Sequence, residues 1–510
     1  MQIGRMELLT DEPIITYENI IPILQNVFQL HQSNAMRMNF LLEYEAGKQP
    51  LQRTKTYRKD IDVKCVDNVA HEIAKFHIGY KWGIPITVVQ RGEKDSGNNK
   101  EVDAISLLNE QYELQHIRKK TQRLARFVEI CGVGYTFVDI NSDYEDGDSY
   151  FNIEALDPRT TFVVRSNYYY DKRVMIAVTF RTDNRGNHYF TCFTKDDRFE
   201  ILNLAKIMNG KKVKEEEKWY HAERSGETNP LGCIPIIEWE RNDDRMGCFE
   251  RQISDLDNLN LLISDFTNDI EQNTQAIWHC NDVDFPIEIV TLDDGTKVER
   301  VKKPTTNDWM QTFTTQDGKT PFVKPLAIDY DYNGMLQNIV TRRATILQNA
   351  DVPCRNDNSG GSTGIAMDSA TGWSNAETIA SAQQNIMEGC KMQEIRVVLR
   401  AIQTSSYTPS DSPLLDLKYR DCQPNIKRNK SYELTNKVNA FATMVSHGIN
   451  GYHALKTVNL VDDVNQVYAD SKNLIEKYQD GLFNKGTETK DEGRLSADNS
   501  DQTSNSPFLN

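Results

Sequence analysis

Val66, Val69, Ala70, Ile73 and Phe76 recur at three- and four-residue steps, which predicts one apolar helix face. Gly79 and Gly83 are expected to end that helix, and the β-branched run Ile84–Val89 reads as a strand. Two further helices are expected at 102–115 and 117–131. Strand patterns then follow at 135–140, 150–156, 161–165, 174–181, 188–194 and 234–240, separated by turn signals such as Asp146-Gly147 and Arg185-Gly186. Residues 1 to about 245 therefore read as one α+β unit.

From Phe249 the pattern changes. Ile253, Leu256, Leu259, Ile263, Phe266 and Ile270 form a sustained stripe, with no Gly or Pro between Phe249 and His279. This predicts one long helix over 249–279, whose other faces carry Asp257, Asp265 and Asp269. A small β unit with turns at 293–295 and 316–318 follows, then a second helix over 333–349. The segment 351–374 is polar and glycine-rich, and a loop of that length inside a compact chain is usually functional. Another long helix is expected at 375–403, with Gly389 as a kink point. A strand is expected over 412–419, helices over 431–447, 451–458 and 461–479, and a disordered tail from Lys485.

Composition narrows the function. The 510 residues are 38% hydrophobic and 26% charged, an ordinary globular balance with no apolar run near the ~20 residues of a membrane span. Glu7, Asp11 and Glu12 interrupt the N-terminus, so no signal peptide is expected. The net charge of −15 shows no basic stripe and argues against tight static binding of nucleic acid. Nine scattered cysteines, none in a C-x-x-C pair, read as free thiols of a reducing compartment.

The strings that resemble catalytic signatures fail on inspection. His71-Glu72 lacks a histidine at the zincin position, and His77 stands about 240° away around a helix. The acidic run 143–148 has Ser142, Tyr144 and Ile153 where a calcium loop needs carboxylates, so it reads as a hairpin tip. Gly360–Gly364 is followed by Ile365-Ala366 rather than Lys-Ser/Thr, so it is no phosphate loop. No catalytic, cofactor or metal residues are expected, and no enzyme.

Several strings, in order, resemble the portal proteins of tailed double-stranded-DNA bacteriophages, in the long-tailed siphophage portal family. They are Tyr44-Glu-Ala-Gly-Lys-Gln-Pro50, Asn68 with Gly79-Tyr-Lys-Trp-Gly-Ile-Pro-Ile86, Gly134-Tyr-Thr-Phe-Val-Asp139, Leu156-Asp-Pro158 with Phe162-Val-Val164, and Gly232-Cys-Ile-Pro-Ile-Ile-Glu-Trp239. Leu256-Asp-Asn-Leu-Asn260 with Ser264-Asp265 and Asn268-Asp-Ile-Glu271 is similar to the family's long-helix string, with Leu259 in its aromatic position.

The resemblance implies an α+β portal fold with wing, stem, clip and crown, assembled as a ring with a central channel, typically of twelve copies. The wing would be 1–248, the stem helices 249–280 and 331–350, the clip 281–330, and the channel (tunnel) loop 351–374. A long kinked helix and wing strand would fill 375–430, the crown helices 431–484 and the disordered tail 485–510. Channel-loop candidates are Asp351, Asn356, Asp357, Asn358, Ser359, Gly360, Gly361, Ser362, Thr363, Gly364 and Asp368. Stem candidates are Ile253, Leu256, Asp257, Ile263, Asp265, Phe266, Asp269 and Ile270. The implied role is a head–tail connector at one capsid vertex, assembled in the host cytoplasm. Double-stranded DNA would be packaged and later ejected through it. Implied partners are further copies of the chain, the terminase large subunit, a head–tail adaptor and the major capsid and scaffolding proteins, with no membrane. The competing reading is a cytosolic multidomain interaction protein without a channel, and a packaged nuclease stands third.

Overall fold

The computed structural model describes residues 4–52, 59–91, 99–170, 172–205, 207–208, 211–212, 218–274, 278–281, 287–292, 295–301, 322–325, 331–353, 372–428, 434–458, 460–461, 464, 467–468 and 471–475. The fold is mixed helix and sheet. Its first long element is a helix the periodicity reading passed over, α1 (Ile20–Glu45), which lies on a sheet built mainly from antiparallel neighbours. That sheet runs β1 (Leu8–Thr10), β5 (Thr161–Ser166), β6 (Val174–Thr182), β7 (His188–Phe193), β8 (Asp197–Asn203) and β9 (Trp219–His221), with Glu227–Thr228 also on β8. Phe28 of α1 sets its ring edge-on to Phe190 at 5.0 Å and Phe180 at 5.4 Å, anchoring the helix to the sheet. Deleting a buried ring of this kind costs about 3–5 kcal/mol.

A second sheet, β10 (Ile236–Glu240), β3 (Val133–Ile140) and β4 (Phe151–Leu156), packs against α3 (Asn99–Leu114), α4 (Ile117–Cys131) and a long helix, α7 (Trp373–Thr404). Backbones cross closely where α4 passes into β3. A Cβ on Gly132, at φ +81°, would fall 2.3 Å from the carbonyl oxygen of Arg245, and one on Gly247 would fall 2.1 Å from that of Ile130. Only glycine fits at these two positions.

Several boundaries differ from the sequence expectations, each for a local reason. Helix α2 is Val69–Trp82, because the side chain of Asn68 accepts the His71 N–H and starts the helix there. Val66 therefore lies outside it, and Gly79 lies within it. The following strand is β2 (Thr87–Gln90), set by antiparallel pairing with β15 (Cys422–Asn425) rather than by the run from Ile84. The strand expected at 412–419 is a 3-10 turn at Pro413–Leu415, where Ser412 and the proline favour a tight turn, and the strand comes later as β15. Helix α7 continues through Gly389 without interruption of its helical run.

The long helix over 249–279 is shorter than expected. A 3-10 turn at 250–252 leads into α5 (Ile253–Thr274), and Trp278–Asn281 is already a strand, β11, because its residues pair with β14 (Phe322–Pro325). Strands β12 (Ile287–Thr291) and β13 (Lys297–Val301) form a separate hairpin. Helix α6 is Tyr332–Asn349, α8 is Leu434–Ser446 and α9 is Gly451–Val458. Of the expected helix at 461–479, residues 464, 467–468 and 471–475 are helical and ten residues lie outside the described ones, as does the whole tail from Lys485. The acidic run 143–148 is a turn region between β3 and β4, as expected. Seven cysteines are described as free thiols, five of them buried.

Candidate stem helices and channel-loop anchor

Helices α5 and α6 form an antiparallel pair. Gln252, just before α5, donates from Nε2 to the carbonyl of Asn349 at 3.1 Å, while Phe266 meets Tyr332 edge-on at 6.0 Å. The apolar stripe of α5 divides unequally. Leu256 and Leu259 are fully buried, Ile253 and Ile263 are half-buried against the same core, and Ile270 is 43% exposed. The expected packing of the whole stripe thus stops before Ile270. Asp257 accepts from the Tyr44 hydroxyl at 2.7 Å, and burial followed by this carboxylate pushes that hydroxyl's pKa up. Asp265 and Asp269 are half-buried.

The most buried polar face of α5 was not legible from apolar periodicity. Asn260, Ser264 and Asn268 stand at i, i+4 and i+8 and bind the backbone of the strap that joins α1 to α2. Asn268 accepts from Val63 N at 2.8 Å and donates to Val63 O at 3.0 Å. Ser264 accepts from Cys65 N at 3.0 Å, and Asn260 accepts from Asp67 N at 2.9 Å. The match is geometric: four residues of helix rise about 6 Å, close to the span of about 6.6 Å of two extended residues. The asparagine and serine spacing was the available signal, but amide side chains carry no hydrophobic periodicity. Arg343 of α6 ties the same strap from the other side, with Nε 3.0 Å from Asp67.

At its far end α6 runs into the candidate channel loop. Asp351 adopts φ +60°, a left-handed turn that an aspartate tolerates better than most residues. Its carboxylate accepts from Asn375 Nδ2 at 3.2 Å. A Cβ on Gly372 would lie 3.8 Å from Pro353 Cα, so the chain leaves α6 and enters α7 at one point. The other loop candidates, Asn356, Asp357, Asn358, Ser359, Gly360, Gly361, Ser362, Thr363, Gly364 and Asp368, lie outside the described residues. Trp373, within the segment first assigned to the loop, already belongs to α7.

Beneath this junction lies an ionic cluster made by residues the sequence did not single out. Glu129 is 2% exposed and pairs with Lys81 Nζ at 3.0 Å and Arg241 Nε at 2.8 Å, while Trp82 Nε1 donates to it at 3.1 Å. Burial would raise the Glu129 pKa, but the two cations outweigh it and hold the carboxyl well below the usual range. Burial lowers Lys81 to about 8 despite its partner. Lys81 also donates to Gln383 of α7 at 2.6 Å, and Tyr80 bonds Glu377. The rings of Phe76 and Tyr80 lie 5.8 and 5.7 Å from Trp373. Asp351 feels the same cations, yet burial dominates and raises its pKa. His71, which bonds Glu45 at 2.7 Å, and His77, which bonds Ala350, serve different neighbours.

The arrangement holds two helices and the two ends of a loop in fixed register. It supplies no nucleophile–base pair, and among the described residues no cluster of His, Cys, Asp or Glu could hold a metal ion. No described helix is long and apolar enough to cross a membrane.

No curated protein matches the chain. Among solved structures, a chain from the neck of an empty GTA particle, computed with C6 symmetry, is similar at 11% identity and a TM-score of 0.37, over 81% of this chain and 96% of that one. The family model described as "Phage portal protein, SPP1 Gp6-like" matches residues 24–481. That span takes in most of α1, both sheets apart from the edge strand β1, the α5–α6 pair, the loop and α7, and the chain belongs to the SPP1 Gp6-like phage portal protein family.

Proposed function

We propose that copies of this chain close into a ring through which double-stranded DNA is packaged and later ejected. Membership of a portal family makes the chain a structural virion component. The finer reading adds a terminase ATPase that drives packaging, a head–tail adaptor and the surrounding capsid and scaffolding proteins as partners, with assembly in the host cytoplasm. The observation that carries it is the unbroken family match over 24–481.

The chain's physics supports this reading. A closed ring needs two different complementary faces on each copy. Among the apolar residues exposed in the single chain, Ile270, Leu336 and Val340 lie on the α5–α6 pair, and Ile287 and Ile289, each 65% exposed, lie on the hairpin that follows α5 in sequence. Helix α5 carries Asp255, Asp257, Asp265, Asp269 and Glu271 and no basic residue, so a channel wall built from it would repel phosphate. A glycine-rich loop between α6 and α7 would then touch DNA without holding it.

The test is native mass and electron microscopy of the purified chain. A ring near twelve times 58.5 kDa is expected. A monomer or dimer at all concentrations would overturn the reading in favour of an interaction protein.

A further inference from the structure

The net charge of −15 conceals one helix of opposite sign. Helix α4 begins Ile117-Arg-Lys-Lys-Thr-Gln-Arg-Leu-Ala-Arg126, five cations and no anion in its first ten residues. Its inner face, with Leu124, Ala125 and Val128, is buried in the core and fixes the helix rigidly. Its only acidic residue, Glu129, is turned inward and already committed to Lys81 and Arg241. Nothing acidic on α4 itself therefore neutralises the outer ridge.

On that ridge Lys119, Arg123 and Arg126 follow at i, i+4 and i+7, all exposed, over about 10 Å of helix axis. Neighbouring elements satisfy some of the cations: Arg118 pairs with Glu113 at 3.2 Å, Lys120 with Glu154 at 3.0 Å and Arg126 with Glu45 at 3.1 Å. Lys119 and Arg123 have no carboxylate within ion-pair distance among the described residues. Arg123 lies over the Phe127 ring at 5.9 Å, which leaves its guanidinium hydrogens available. No large apolar side chain is exposed along α4. A protein-docking face would carry an apolar centre. A hydrated ridge with a cationic excess, whose neighbouring carboxylates Glu45, Glu113 and Glu154 are already paired and whose Arg123 also feels Asp157, suits a phosphate backbone, which presents about six charges over the same 10 Å.

We propose that the α4 ridge is a sequence-independent binding surface for the phosphate backbone of double-stranded DNA, separate from the channel loop. Two unpaired cations give weak, salt-sensitive contact. A surface of this kind holds duplex near the protein without arresting it. The inference goes beyond the channel reading and does not depend on it, because the ridge is complete within one chain.

The test is fluorescence anisotropy of a short labelled duplex with the full-length chain, titrated from about 25 to 200 mM salt. The K119Q/R123Q variant is expected to weaken binding about tenfold at the low-salt end and to flatten the log–log salt slope by about 1.8. The charge-preserving K119R/R123K variant is expected to bind as the parent does. No binding at low salt, or binding unchanged in K119Q/R123Q, would overturn the proposal. Polyglutamate displacing the duplex at equal charge concentration would reassign the ridge to an acidic protein partner and overturn it too. Native mass of the same samples reports assembly separately, so loss of the ring would count against the channel reading and leave this one standing.

Discussion

His77 Nε2 lies 2.8 Å from the carbonyl oxygen of Ala350, so a side chain of α2 holds the end of α6 just before the chain enters the candidate loop. The ring must donate from Nε2, and its Nδ1 is buried without a hydrogen-bond partner. Burial, reinforced by the nearby Lys81 charge, depresses its pKa to about 3. The imidazole is therefore neutral in the folded chain at all but strongly acidic pH.

This predicts acid sensitivity with a definite window. His31, buried against the Arg159 carbonyl, is likewise lowered, to about 4. Both folded pKa values lie below the unfolded value near 6.5, so the unfolded chain takes up protons first and stability falls as pH drops below about 6.5. At pH 5 each histidine should contribute a loss of about 2 kcal/mol. Thermal unfolding followed from pH 7 to pH 5 checks it, and His77→Gln should remove part of the slope.

Glu129→Gln should destabilise strongly, by about 3–5 kcal/mol, since Lys81 and Arg241 would remain buried with their counter-charge gone. Denaturant midpoints measure this. Hydrogen exchange at the α6–α7 junction should rise in the same variant, because Lys81 also holds Gln383.

The strap on α5 offers a local test. Asn268→Ala removes both partners of Val63, whose backbone can turn to water because the residue is partly exposed. The cost should be small, about 1 kcal/mol. Amide exchange at 61–67 should nevertheless accelerate, with the rest of the chain protected as before.

Leu336→Asp and Val340→Asp separate folding from assembly. Both side chains are more than half exposed in the single chain, so the monomer should fold normally. If copies meet along the α5–α6 pair, a buried charge in that seam should abolish the ring, read by native mass. Ile263→Asp should prevent assembly as well, but through the fold, because Ile263 packs on the chain's own core.

Neutralising Asp351, Asp357 and Asp368 to asparagine should change DNA packaging or retention while leaving ring mass unaltered. Lysines introduced at 357 and 368 should slow DNA passage, since each new phosphate contact releases counterions and strengthens holding. Single-molecule packaging rates provide the measurement.

How much of this was legible in the sequence depends on what kind of contact fixes each element. Strands β3 to β7 and β10 and the Leu256–Leu259 core of α5 are set by apolar burial, and periodicity finds them, whereas the edge strands β1 and β9 and the strand β8 escape it. The strap on Asn260, Ser264 and Asn268 is set by amide-to-backbone bonds, which leave no hydrophobic trace. The strand β15 depends on its partner β2, far away in the chain, so local propensity placed it too early. The α4 ridge was hidden because summed charge averages over an acidic chain. Lys81, Glu129 and Arg241 come from three separate elements, and only the fold unites them.

The meeting of Pro353 and Gly372 has a consequence for how such a chain can vary. Because the two helix ends already touch, the segment between them is a closed excursion whose size the surrounding fold does not dictate. Closing a loop twice as long would add only about 0.6 kcal/mol of entropy cost. Under the proposed ring, related chains that lengthen or shorten this excursion would narrow or widen the channel without re-engineering the contacts that hold α6 to α7.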